Sequence, residues 1–104
     1  MEKTLNISAN LKAVDTIKSV VLYEIANLYR SLSEYSDSCN EKKIGESIST
    51  IISTGYILAR RVGLTYSDID RIITDFLDTA IEDNHELELQ FSDMSELKRH
   101  LSSR

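Results

Sequence analysis

The stretch VDTIKSVVLYEIANLYRSL, residues 14–32, decides the fold. Val14, Ile17, Val21, Ile25, Leu28 and Leu32 recur along it in five steps that span eighteen residues. The average step of about 3.6 is the period of an α-helix. A supercoiled seam averages about 3.5, so the spacing favours a helix in a globular bundle. The helix is placed over 10–36, after a short polar lead-in at 1–9. Glu24 sits beside the apolar stripe rather than opposite it, which raises the question of whether it is a metal ligand.

Outward from that helix, Ser36-Asp-Ser-Cys-Asn40 breaks the pattern with residues that compete for backbone hydrogen bonds. Ser38 and Glu41 have capping-box spacing for a second helix over 41–62. Its stripe is Ile44, Ile48, Ile51, Gly55, Leu58 and Val62, with Gly55 read as a close helix contact. Gly63 is a natural stop, because glycine tolerates the left-handed backbone that ends helices. Thr65 and Asp68 form another candidate capping box. A third helix follows through Ile69, Ile72, Ile73, Phe76, Leu77, Ala80 and Ile81. Its end is open. Glu82 and Asp83 suit a C-terminus poorly, which favours continuation past Leu87, while the alternation of Glu86–Phe91 suits an extended segment. Asp93 to Glu96 opens a short last helix carrying Leu97 and Leu101.

These elements predict a single all-α domain over 1–104. It is an antiparallel bundle of two long helices, a third helix and a short C-terminal one. Val20, Tyr56 and Ile57 lie off the main stripes, and a 104-residue chain buries only a small core. A homo-oligomer, dimer or tetramer, is expected to complete that core.

The 104 residues are 41% hydrophobic and 28% charged, with no proline, and carry a net charge of −5. An acidic surface disfavours nucleic acid and anionic membranes. The turn at 63–70 superficially resembles that of a helix-turn-helix, but the following helix sets Asp68, Asp70, Asp75 and Asp78 against Arg71. Cys39 is the lone cysteine, which suits a reducing cytoplasm, and neither an apolar leader nor a membrane-spanning run is visible. A cytoplasmic protein is expected.

Catalytic signals are sparse. Gly45, Gly55 and Gly63 are isolated, so a phosphate loop is not indicated. One cysteine and two distant histidines cannot supply a four-ligand zinc site. His85, within Glu82-Asp-Asn-His-Glu86, reads as part of a solvated segment. Asp75, Asp78 and Glu82 share one helix face, where they could hold Mg²⁺, but a solvated outer face explains them as well. Arg71 can also pair with Asp75 four residues on.

Residues 48–64, followed by Tyr-Ser-Asp-Ile-Asp70, resemble the second core helix of MazG-type nucleoside triphosphate pyrophosphohydrolases. Leu22-Tyr-Glu-Ile-Ala-Asn-Leu28 resembles their first. The likeness covers about 14–90 and is greatest to short bacterial MazG-like proteins. It implies an all-α fold with Glu-Glu-x-x-Glu on the first helix and Glu-x-x-Asp on the second, which together hold Mg²⁺ around a triphosphate. Here the first motif falls on Tyr23, Glu24 and Asn27, and the second on Ser47 and Thr50. Glu46 stands one residue out of register, about 100° around the helix. Of a later motif with Lys and Arg around an Asn, only Asn84 matches among Ala80, Asn84 and Leu87.

The expectation is a degenerate site. Glu24, Asn27, Ser47, Thr50 and Asn84 form a remnant ligand pocket with at most one formal charge. Glu24, Glu46, Asp75 and Asp78 are weak metal candidates. No cofactor is expected unless the chain is an active Mg²⁺-dependent pyrophosphohydrolase. The first reading is a non-catalytic protein that acts by self-association, with a nucleotide or protein partner open.

Overall fold

The computed structural model describes residues 7–34 and 40–103. They form helices α1 (Ile7–Ser33), α2 (Asn40–Arg61), α3 (Tyr66–Glu82), α4 (Glu86–Phe91) and α5 (Asp93–Ser103), with no strand among them. The fold class is all-α, as the helical spacing predicts. Two compact units are distinguishable, one within Met1–Leu64 and the other within Thr65–Arg104.

In the first unit α1 and α2 form an antiparallel hairpin. At its open end the Asn10 side chain donates to the carbonyl of Arg61 at 2.7 Å. At its closed end buried Asn40 donates to the carbonyls of Ser31 at 3.0 Å and Glu34 at 2.6 Å. Ser36–Cys39, which carry the predicted turn and the Ser38 half of the predicted capping box, lie outside the described residues.

The face of α1 that turns inward differs from the predicted stripe. Asn10, Ile17, Glu24 and Ser31, seven residues apart, are half-buried, buried, half-buried and buried. Ala13, Val20 and Asn27 flank them on one side, and Val14, Val21 and Leu28 on the other, all half-buried. A seven-residue repeat is the seam of two packed helices. Ile25 and Leu32, members of the predicted stripe, are exposed, whereas Val20, read as off the stripe, joins the seam. With a single partner helix in the unit, only a narrow seam is covered. On α2 the buried residues are Asn40, Ser47 and Ala59, while Ile48, Ile52 and, just past its end, Val62 are exposed. Among the described residues Gly55 makes no close contact, because a Cβ there would meet nothing within 4 Å.

The predicted stop at Gly63 is present. Gly63 has φ +101, the Leu64 amide donates to the carbonyl of Ala59 at 2.9 Å, and the Gly63 amide donates to Arg60 at 3.2 Å. These paired bonds satisfy carbonyls that a helix end leaves open. The predicted box at Thr65 is also present: Asp68 N–H donates to Thr65 Oγ1 at 2.9 Å, and Thr65 N–H donates to Asp68 Oδ2 at 2.8 Å.

The second unit packs α3 against α5 around Leu77, Ala80 and Met94, with Ile73, Ile81 and Leu101 alongside. The end of α3 differs from both alternatives considered for it. The helix stops at Glu82, and Glu86–Phe91 is a short helix rather than extended. Asn84 takes the left-handed conformation, φ 58, and the amides of His85 and Asn84 donate to Ala80 at 2.9 Å and Ile81 at 3.2 Å. This is the same closing pattern as at Gly63, and it outweighs the poor dipole match of Glu82. His85 Nδ1 then accepts from Leu87 N–H at 3.1 Å and opens α4. At the next junction Ser92 turns left-handed, and Glu88 of α4 accepts from the N–H and the hydroxyl of Ser95 in α5.

Candidate functional site

The seam of the hairpin is polar near its closed end, and a cavity of about 390 Å³ opens there. Tyr23, Glu24, Asn27, Arg30 and Ser31 line it from α1, and Lys43, Glu46 and Ser47 from α2. On a helix of 100° per residue, Tyr23, Asn27 and Arg30 turn to one side of the seam and Ile25 and Leu32 to the other. Because the helices are antiparallel, Lys43 and Glu46 turn to the cavity side and Ile48 and Ile52 to the side of Ile25. The hairpin therefore has a polar, concave face and an apolar one.

Ser31 and Ser47 are buried at the floor, and Glu24 and Asn27 are half-buried. Tyr23, Arg30, Lys43 and Glu46 are exposed around them. Arg30 Nη2 donates to Asn27 Oδ1 at 2.9 Å, which fixes the guanidinium over that wall. Glu24, Asn27 and Ser47, the residues aligned with the acidic motifs, thus share one cavity. Thr50, a half-buried residue farther along α2, is not among the lining residues, and Asn84 belongs to the other unit.

The cavity holds more charge than the aligned residues alone. Glu46 lines it despite its displaced register, and Arg30 and Lys43 add two cations that sequence reasoning missed. The signal was available: Arg30 follows Asn27 by three residues and Lys43 precedes Ser47 by four, the spacings of helix-face neighbours.

The acids of α3 have other surroundings. Asp78 forms an ion pair with Lys98 of α5, and Arg71 pairs with Asp68 at 2.9 Å rather than with Asp75. The Thr65 amide, Arg71 and the Thr65 hydroxyl hold the Asp68 carboxyl below its ordinary range. The Ser95 hydroxyl and amide do the same for Glu88. Among the described residues no three His, Cys, Asp or Glu side chains are grouped to hold a metal ion.

A model of the MazG-like family matches residues 7–94. The chain belongs to the MazG-like family. No curated protein and no solved structure matches it significantly. In this MazG-like chain the donor set of the cavity does not fit the Mg²⁺ site that the family resemblance implies. Two carboxylates face two cations, and an amide and hydroxyls stand at the other aligned positions. Mg²⁺ bound through one or two carboxylates also relies on substrate phosphates, and here Arg30 and Lys43 offset the formal charge of the two carboxylates lining the cavity. Among the described residues no helix is long and apolar enough to cross a membrane.

Proposed function

We propose that this chain is a non-catalytic MazG-like protein that associates with a second copy of itself and keeps the hairpin cavity as a ligand site. The observation that supports the non-catalytic reading is the charge balance of that cavity. Phosphoryl chemistry at a triphosphate needs concentrated positive charge from metal ions, and those ions need concentrated acids. Glu24 and Glu46 are the only carboxylates lining the cavity among the described residues, and Arg30 and Lys43 offset them.

Association is supported by the opposite face. Ile25, Leu32, Ile48 and Ile52 are 36%, 48%, 41% and 55% exposed on one side of the hairpin. Exposed Gly55 of α2 and Val62 just past its end extend that face. Two such faces stacked together would make a four-helix core.

A second reading, an active pyrophosphohydrolase, draws on one observation: Glu24 and Glu46 share a cavity. Incubation with a panel of nucleoside and deoxynucleoside triphosphates, with Mg²⁺ or Mn²⁺, separates the two. The non-catalytic reading expects neither pyrophosphate nor monophosphate above background. Turnover abolished by Glu24→Gln would establish the second reading instead. Light scattering on the full chain tests association, for which a dimer or tetramer is expected.

A further inference from the structure

We propose that the second unit docks a basic amphipathic helix of another protein, along the flank of α3 that α5 leaves uncovered. This surface is separate from the hairpin cavity and from the apolar face of the hairpin.

Two apolar strips run along α3. Ile73, Leu77, Ala80 and Ile81 belong to the core shared with Met94 and Leu101 of α5. Ile69, Ile72 and Phe76 follow one another at i, i+3 and i+7, which sets them side by side on the adjoining flank. Ile69 is half-buried, but Ile72 and Phe76 are 51% and 59% exposed. Lys98 of α5 pairs with Asp78, so α5 lies along the opposite flank of α3. A ridge of apolar side chains at this spacing is the surface onto which another helix packs.

Charge selects the partner. Residues 65–104 carry ten Asp and Glu against four Lys and Arg, whereas residues 1–64 carry seven against eight. The acidity of the chain is concentrated in the second unit. Three of the four cations there are committed, Arg71 to Asp68, Lys98 to Asp78 and Arg99 to Glu96. The fourth, Arg104, lies outside the described residues. Asp75 follows Ile72 by three residues and borders the strip, and Asp83 follows Phe76 by seven, past the end of α3. Both are exposed, and neither forms an ion pair among the described residues. The last turn of α3 holds no basic residue to offset the negative end of its dipole. Lys and Arg flanking the apolar face of a partner helix supply the missing charge. The same acidity repels phosphate backbones and anionic membranes.

Fluorescence anisotropy with the full chain tests the proposal. The probe is a labelled synthetic helix of about fifteen residues, with Leu at i, i+3, i+4 and i+7 and Lys beside them. Its counterpart carries Glu for Lys. The Lys peptide is expected to bind, and the Glu peptide about tenfold or more weakly. Ile72→Ser and Phe76→Ser should each weaken the Lys peptide about tenfold, with helical circular dichroism retained because both side chains are exposed. Asp75→Asn with Asp83→Asn should weaken it about threefold and flatten its salt dependence. Ile25→Ser with Ile52→Ser, on the hairpin, should leave the affinity unchanged. Equal affinity for the two peptides, binding of neither, or full affinity in Phe76→Ser would overturn the proposal. So would loss of binding in the hairpin variant, which puts the peptide on that face. Loss of the parent's self-association in Phe76→Ser would also overturn it, by making a second copy the occupant of the strip.

Discussion

Asn40 donates its side-chain amide to the carbonyl of Ser31 at 3.0 Å, and both residues are buried. The second amide hydrogen goes to the carbonyl of Glu34 at 2.6 Å, so one side chain ties the end of α1 to the start of α2. The Ser31 carbonyl also accepts the Glu34 amide at 3.2 Å, and the buried Asn40 side chain would itself be costly without its two acceptors. Asn40→Ala is expected to destabilise the hairpin by about 2 kcal/mol in urea unfolding followed by circular dichroism. Asn40→Asp should be worse at neutral pH, because it sets a carboxylate against two carbonyl oxygens. An Asp variant as stable as the parent would show that these bonds do not hold the closed end.

Two junctions of the second unit should share an acid dependence. Asp68 closes the Thr65 box and Glu88 holds the start of α5, and both carboxyls titrate below their ordinary values in the folded chain. The stability they contribute is therefore present above the unfolded-state values, near pH 4. It is lost as pH falls through the lower folded values. Both groups are solvent-accessible, so the effect will be modest and will shrink in salt. Thermal melts from pH 6 to about pH 2 should show a smaller loss in the Asp68→Asn, Glu88→Gln double variant than in the parent. Equal slopes would remove these carboxyls from the account. Thr65→Ala should cost about 1 kcal/mol at neutral pH, as the loss of a helix cap.

The local ends of helices were legible in the sequence because their chemistry is local. Gly63 had to accept a left-handed backbone, and Thr65 and Asp68 needed only a three-residue spacing. The inward face of α1 was partly legible from hydrophobicity, since Val14, Ile17, Val21 and Leu28 of the apolar stripe turn inward. The seam places Asn10, Glu24 and Ser31 inward and leaves Ile25 and Leu32 outward. Small and polar residues line it at a spacing set by the partner helix, which the residue pattern of α1 alone does not contain. The cavity was half legible. The family alignment brought Glu24, Asn27 and Ser47 to attention, but Arg30 and Lys43 belong to no motif. Only their helix-face spacing from Asn27 and Ser47 pointed to them, and the packing of the two helices brings them to one cavity.

Asn84 distinguishes a structural role from a ligand role. Its φ of 58 lies in the left-handed region, where asparagine and glycine are tolerated and other residues are strained. Asn84→Gly should leave thermal stability within about 0.5 kcal/mol, while Asn84→Ala should cost about 1 kcal/mol. A ligand role would rank the variants otherwise, because Gly and Ala remove the same amide. Equal thermal stability of Asn84→Gly and Asn84→Ala would remove the left-handed backbone as the reason for asparagine here.

Gly55 sets a sharper test of association than the large apolar residues around it. Among the described residues nothing requires a glycine there, since a Cβ would meet no atom within 4 Å. Glycine in a helix interior costs about 1 kcal/mol relative to alanine. For an isolated hairpin, Gly55→Ala is simply stabilising by about that amount. If a second copy lays its helices on the face of Ile25, Ile48 and Ile52, Gly55 marks where the backbones approach. A bulky Gly55→Leu should then weaken self-association about tenfold or more, even though it adds apolar surface. Ile25→Lys with Ile52→Lys should weaken it further, with helical circular dichroism retained because both side chains are exposed in the single chain. Sedimentation velocity over a concentration series reads association in both variants and the parent, and urea unfolding reads Gly55→Ala. Tighter association of Gly55→Leu would place the contact elsewhere, and a parent that sediments as a monomer throughout would remove the second copy from this face.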